Sequence, residues 1–116
     1  MTAADRASWK TLPMPAEREP MDLALKFSDS EAQQMVKGHI PEDMDDKWFI
    51  FFEKGWLYFH RSWTGFCIYA VRLDDSAAGV RVGEAWANRD RDEYKSRGMD
   101  TDKQLVEQLI STRLLA

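Results

Sequence analysis

Cysteine is nearly missing from this chain of 116 residues, and so is any sustained apolar run. Cys67 stands alone, so no internal disulfide can form, which points to a reducing compartment. The longest wholly apolar run is Phe66–Val71, far short of the roughly 20 residues that span a bilayer. Met1-Thr2-Ala3-Ala4-Asp5-Arg6 carries no apolar stretch of the kind a secretory leader needs. The expectation is a cytoplasmic protein with no membrane segment. Basic residues are also in deficit: 16 against 20 acids, a net charge of −4. That balance argues against a nucleic-acid partner, because a duplex binder displaces counterions with a basic surface. Histidine occurs twice, as His39 and His60, and neither sits at metal-ligand spacing from a second ligand. No metal and no cofactor is expected. The rest is ordinary globular make-up, 44% hydrophobic and 31% charged, at a length that suits one domain.

Three of the four prolines (Pro13, Pro15, Pro20) fall in residues 1–20, where no periodicity appears. This stretch reads as an extended arm, with Trp9 and Leu12 as anchors, ahead of an α+β domain over 21–116. Leu23, Leu25 and Phe27 alternate with Asp22, Ala24 and Lys26, the period of a half-buried strand. Ser28-Asp29-Ser30-Glu31 matches a capping box and opens a short helix to about Lys37, closed by Gly38 and Pro41. An acidic connector, Pro41–Asp46, follows; it lacks the alternating pattern of a calcium loop and reads as solvated acids.

Strands are predicted over Lys47–Glu53, Trp56–Ser62, Phe66–Leu73 and Val80–Ala87, the last with Val80, Val82 and Trp86 on one face. Tight turns are predicted at Lys54-Gly55 and Thr64-Gly65, and a loop at Asp74–Gly79. Asn88–Asp100 is polar and irregular. Thr101-Asp102-Lys103-Gln104 reads as a second capping box, opening a helix with Leu105, Val106, Leu109, Ile110 and Leu114 on one stripe. The fold class is therefore α+β: a four- to five-stranded, mostly antiparallel meander with two flanking helices.

Ten of the fourteen aromatics lie between Trp48 and Tyr69, and Trp48–Phe52 is apolar on both faces. Such a strand has to be covered twice. Two helices can cover one face; the arm, sheet curvature or a second copy of the chain must cover the other, which makes a homodimer one expectation. With two-residue turns, Phe49 faces His60 and Phe51 faces Tyr58. Across the second turn His60 faces Tyr69 and Ser62 faces Cys67. One face then gathers Phe49, Phe51, Tyr58, His60, Ser62, Cys67 and Tyr69, and the other Trp48, Phe59, Arg61, Trp63 and Ile68.

The polar turn His60-Arg61-Ser62-Trp63-Thr64-Gly65 interrupts this sheet and is the candidate site. His60 beside Tyr69 and Ser62 could act as a general acid or base, or be a satisfied sheet histidine. Arg61 between Trp48 and Trp63 could present its guanidinium to a phosphate or carboxylate, or plug the sheet edge as a cation–π pair. Cys67 or Ser62 as a nucleophile lacks a glycine-rich elbow, and Cys67 reads as a small buried residue. Asn88 and Arg89 could reach the sheet end and complete an anion pocket, or form part of an alternating-charge surface. Aromatics stacking on RNA are the further alternative, but the basic interleaving is thin.

The run Trp56-Leu57-Tyr58-Phe59-His60-Arg61-Ser62-Trp63-Thr64-Gly65-Phe66-Cys67-Ile68-Tyr69, preceded by Asp45-Asp46-Lys47-Trp48-Phe49-Ile50 and followed by Asn88-Arg89-Asp90, resembles a family of small, uncharacterised bacterial proteins. The resemblance covers about Leu23 to Leu115. It implies a bacterial, cytoplasmic protein of this size and carries over no catalytic role. Three functions are expected: a binding domain for a small anionic ligand or partner at His60–Gly65, a hydrolase or transferase with His60 as base, or a homo-oligomerising interaction protein.

Overall fold

The computed structural model describes residues 3–115. Six antiparallel strands form one sheet: β1 (Arg18–Pro20), β2 (Lys26–Phe27), β3 (Trp48–Glu53), β4 (Trp56–Arg61), β5 (Cys67–Ser76) and β6 (Gly79–Asn88). The order is β1-β6-β5-β4-β3, with β2 also pairing to β6. Helix α1 spans Asp29–Met35, and α2 spans Met99–Leu109 before a π-helical turn at Ile110–Leu114. The α+β class and the mostly antiparallel sheet with two helices are as expected; the two short strands β1 and β2 raise the strand count to six.

Local signals set several elements. The Ser28 hydroxyl accepts from the Glu31 amide while the Glu31 carboxylate accepts from the Ser28 amide, so the box that opens α1 is closed from both sides. Gly38, at φ 72°, ends that segment where a Cβ would meet the Ile50 carbonyl oxygen. Lys54 and Gly55 both take positive φ, the turn that matches strand twist. The β3–β4 register follows: Glu53 opposite Trp56, Phe51 opposite Tyr58, Phe49 opposite His60.

Both faces of β3 are covered, by different means. Ile50, Leu57, Phe59, Tyr69 and Val71 pack under Met35 of α1 and Val106, Leu109, Ile110 and Leu114 of the C-terminal helix. On the opposite face lie Phe49, Phe51 and Tyr58, and here the N-terminal arm is the lid. Ala4 packs on Phe49 and Phe51, the Arg6 guanidinium lies 5.0 Å from the Phe51 ring centre, and Trp9 approaches Phe49 at 6.4 Å. The Ala4 amide donates to Lys37 and the Leu12 amide to Gly65. The arm is not wholly extended, since Arg6–Ser8 makes one 3-10 turn. Trp9 anchors by its side chain; Leu12 anchors by its backbone and stays exposed.

Two expected registers are corrected. The second hairpin closes a four-residue loop, not a two-residue turn: the Arg61 amide donates to Phe66 and the Gly65 amide to Arg61. Cys67 therefore faces His60, and a bulge that leaves Ile68 unpaired then sets Tyr69 opposite Phe59. A one-residue slip reverses the face of a side chain, so Tyr69 sits on the face away from His60. In the third hairpin β5 and β6 run on to a two-residue turn at Ala77-Ala78 instead of ending in a loop. A bulge at Gly83 then parts Val80 and Val82 from Trp86, which stacks under Arg18 on the arm's side of the sheet. At Gly83 a Cβ would meet the Asp74 carboxylate and the Arg72 guanidinium, the movable ends of two partly exposed side chains.

Candidate functional site

The polar turn divides into parts that point inward and parts that point out. His60 is 1% exposed. Its Nδ1–H donates to the Gly65 carbonyl at 2.8 Å, which leaves Nε2 as a bare acceptor with no partner among the described residues. Around it stand Phe49, Phe51 and Tyr58, with the Phe51 ring 5.5 Å away and nearly parallel. Burial pushes the His60 pKa down, and the hydrogen bond to Gly65 offsets only part of that. Ser62 is likewise turned in, its hydroxyl donating to the Asp46 carbonyl at 2.9 Å. Cys67 is buried on the same face, and burial pushes its thiol up to about 12. His60 and Ser62 thus tie down the loop, to its own Gly65 and to Asp46, while the Cys67 thiol donates to the Tyr69 carbonyl of its own strand.

Tyr69 belongs to a different cluster on the helical face. Its hydroxyl donates to Asp102 Oδ1 at 2.7 Å and meets the Tyr94 hydroxyl at 2.8 Å. Asp102 is fully buried, and it also accepts from Tyr94 at 2.6 Å, Ser96 at 2.6 Å and Arg89 at 2.8 Å. Burial alone would push the Asp102 carboxyl up; the donors from Ser96, Tyr94, Tyr69 and Arg89 outweigh it and hold the pKa below its ordinary value. The sequence places Asp102 in a capping box. Instead α2 begins three residues earlier, after Gly98, with no side-chain cap. The available signal was position: Asp102 precedes Val106 and Leu109 on the buried stripe, where a carboxylate has to be paired.

Asn88 and Arg89 are consumed locally. The Asn88 amide group donates to the Cys67 carbonyl and to Glu93, and its oxygen accepts from the Asp90 amide. Arg89 bridges Glu19 and Asp102. The structure therefore does not bring His60, Tyr69 and Arg89 into one cleft. The segment from Asn88 to Gly98 is strapped to α2 through Asp102, and that strap positions the outward-facing part of the site.

Arg61 and Trp63 face out. The Arg61 guanidinium lies 4.5 Å over the Trp48 ring, as expected from the sequence. On one side it borders a cleft of about 450 Å³ shared with Tyr94, Lys95, Arg97 and the α2 residues Thr101, Gln104 and Gln108. Those three α2 positions repeat at helical spacing and give the cleft a wall of hydroxyl and amide groups. Among the described residues none of Arg61, Lys95 and Arg97 forms an ion pair. On its other side Arg61 shares a hollow of about 350 Å³ with Lys47, Trp63, Thr64 and Glu93. Nothing in the sequence singles out Lys95 and Arg97, which follow an alternating-charge run in a polar, irregular stretch; only the strap through Ser96 and Asp102 turns them to Arg61's side.

Among the described residues no group of three or more histidine, cysteine or acidic side chains is placed to hold a metal. Among the described residues no helix is long and apolar enough to cross a membrane. No family model, no curated protein and no solved structure matches the chain.

Proposed function

We propose that the chain is a binding domain for a small anionic ligand, held in the cleft between Arg61, Lys95, Arg97 and the polar stripe of α2. The observation that supports this is the convergence of three cations that form no ion pair among the described residues, in a chain whose net charge is −4. Like charges gathered in one hollow repel each other, and an anion with several oxygens relieves all three at once. Arg61 is pre-oriented by Trp48, so its fork is offered without much loss of side-chain freedom. Thr101, Gln104 and Gln108 add uncharged donors suited to a phosphate or a polycarboxylate. The ligand surface of the polar turn thus reduces to Arg61, with Trp63 on its far side.

A general-base role for His60 draws no support from this geometry, since substrate cannot reach a side chain closed in by three aromatic rings. The homodimer reading first arose from an uncovered sheet face; with the arm on that face, it rests on the exposed residues near Trp63 alone. The single, buried thiol agrees with a cytoplasmic setting for the binding domain.

Calorimetric titration with pyrophosphate, citrate and a mononucleotide tests the reading, with Trp48 fluorescence as a second signal. Saturable binding of at least one of them is expected, weakening with salt and falling about tenfold or more in Arg61→Ala and Arg97→Ala. Absence of binding across the panel, or binding untouched by both substitutions, overturns it.

A further inference from the structure

Beside the cationic cleft, beyond Trp63, lies a groove of opposite character. It has a volume of about 440 Å³ and is walled by Trp9, Pro41, Met44 and Trp63, with Glu42 and Asp43 at its rim. We propose that this groove docks a segment of a partner protein in which an aromatic or aliphatic anchor is flanked by lysine or arginine.

Three features carry the proposal. First, exposed apolar surface is concentrated here. Among the described residues the large hydrophobics left exposed are Trp9, Leu12, Ile40, Met44 and Trp63. Three of them wall the groove, Ile40 adjoins its Pro41, and Leu12 is tied to the same loop through Gly65. Met44 is 73% and Trp63 61% exposed, and neither side chain belongs to a core cluster. Second, the walls are fixed in advance. The Trp9 indole N–H donates to the Ser62 carbonyl at 2.7 Å and the Trp63 indole N–H to the Met44 carbonyl at 3.1 Å. Rings held in place lose little freedom when they become anchor contacts, and tryptophan is enriched at such centres.

Third, the charge at the rim selects the occupant. Glu42 and Asp43 form no ion pair among the described residues, although Asp43 caps the Asp45 and Asp46 amides. A second copy of this chain meeting the groove about a two-fold axis would set these acids against their own counterparts. A basic flank satisfies them, and an apolar anchor fills the space between the indoles.

Selection of a phage-displayed random dodecapeptide library against the full chain tests this, with Trp63→Ala and Met44→Lys screened in parallel and their folding checked by circular dichroism. Peptides carrying Trp, Phe or Leu next to Lys or Arg are expected to be enriched on the parent chain. Synthetic versions should bind both variants at least tenfold more weakly. No enrichment over the bare support, enriched peptides without basic residues, or equal binding to Met44→Lys overturns the proposal. So does a dimer in light scattering that Trp63→Ala dissociates, because a second copy would then own the face.

Discussion

Replacing Asp102 with alanine removes one carboxylate on which Tyr69, Tyr94, Ser96 and Arg89 all converge at 2.6–2.8 Å. Hydrogen bonds to a charged acceptor each contribute about 1.5–3 kcal/mol, but four on one group do not add. The survivors set the discount. Tyr69 and Tyr94 retain each other, Arg89 keeps Glu19 and the Asn88 carbonyl, and Ser96 can turn to water. What is left uncompensated is chiefly the inner side of Arg89, and breaking a buried pair from one side costs about 3–5 kcal/mol. A loss of about 3 kcal/mol is expected, out of the 5–15 kcal/mol typical of a domain, or roughly 10–18 °C in Tm. Urea titration followed by tryptophan fluorescence measures it, with an unchanged slope as the sign that the unfolded state is not involved. Glu19→Gln serves as the control, because that partner is half exposed and should cost no more than about 1 kcal/mol. Asp102→Ala losing less than about 1 kcal/mol would refute the reasoning and show that the strap is held by backbone packing alone.

His60 should make stability fall in mild acid. Its native pKa lies below the ordinary histidine value, so the unfolded chain binds more protons as pH drops below about 6.5; stability rises with pH through that window and is flat above it. The slope cannot exceed about 1.4 kcal/mol per pH unit for one group, and urea midpoints between pH 5 and 8 should show it in the parent and not in His60→Phe. An identical slope in both would place the effect elsewhere. Cys67, buried and with its thiol pushed up to about 12, should be inert to a disulfide reagent in the folded chain and react only as fast as the chain opens. Rapid labelling at neutral pH without denaturant would contradict its placement.

Much of the fold was legible where the deciding rule is local. Ser28 and Glu31 announced α1, Lys54-Gly55 announced the first hairpin, and the register from Glu53↔Trp56 to Phe49↔His60 followed by counting. The two-sided apolar character of Trp48–Phe52 also called for a lid, and the arm supplies it. Legibility failed where side chains outside the segment decide. Thr64-Gly65 looks like a two-residue turn, yet Ser62 is pulled away by the Lys47 and Asp46 carbonyls and by the Trp9 indole, so the loop widens to four residues. The bulge that follows at Ile68 adds a shift of one residue, which turned Tyr69 to the opposite face from His60 and dissolved the constellation expected between them. At Asp102 two rules competed, a capping motif and a buried helical stripe, and the stripe prevailed because Tyr69 from the sheet and Arg89, Tyr94 and Ser96 from the segment ahead of α2 all converge on it. In the candidate site, Arg61 over Trp48 was readable from cross-strand pairing; Lys95 and Arg97 were not, since their direction depends on the Asp102 strap.

The arm's contacts also impose an order on synthesis. Arg6 reaches Glu53, Trp9 reaches Ser62 and Lys10 reaches Trp63, partners 47–53 residues further along the chain. During translation residues 3–12 emerge before the strands they cover: Ala4 and Arg6 find their partners once the first hairpin has emerged, but Trp9, Lys10 and Leu12 wait for residues 62–65. Phe49, Phe51 and Tyr58 are therefore bare while the first hairpin forms, and the Trp9–Leu12 end of the arm is the last part able to close. That interval is when neighbouring nascent chains can stick to one another. A fusion or proteolytic nick that holds the arm away would prolong it, turning a covered sheet face into a nucleus for aggregation without altering a single residue of the sheet.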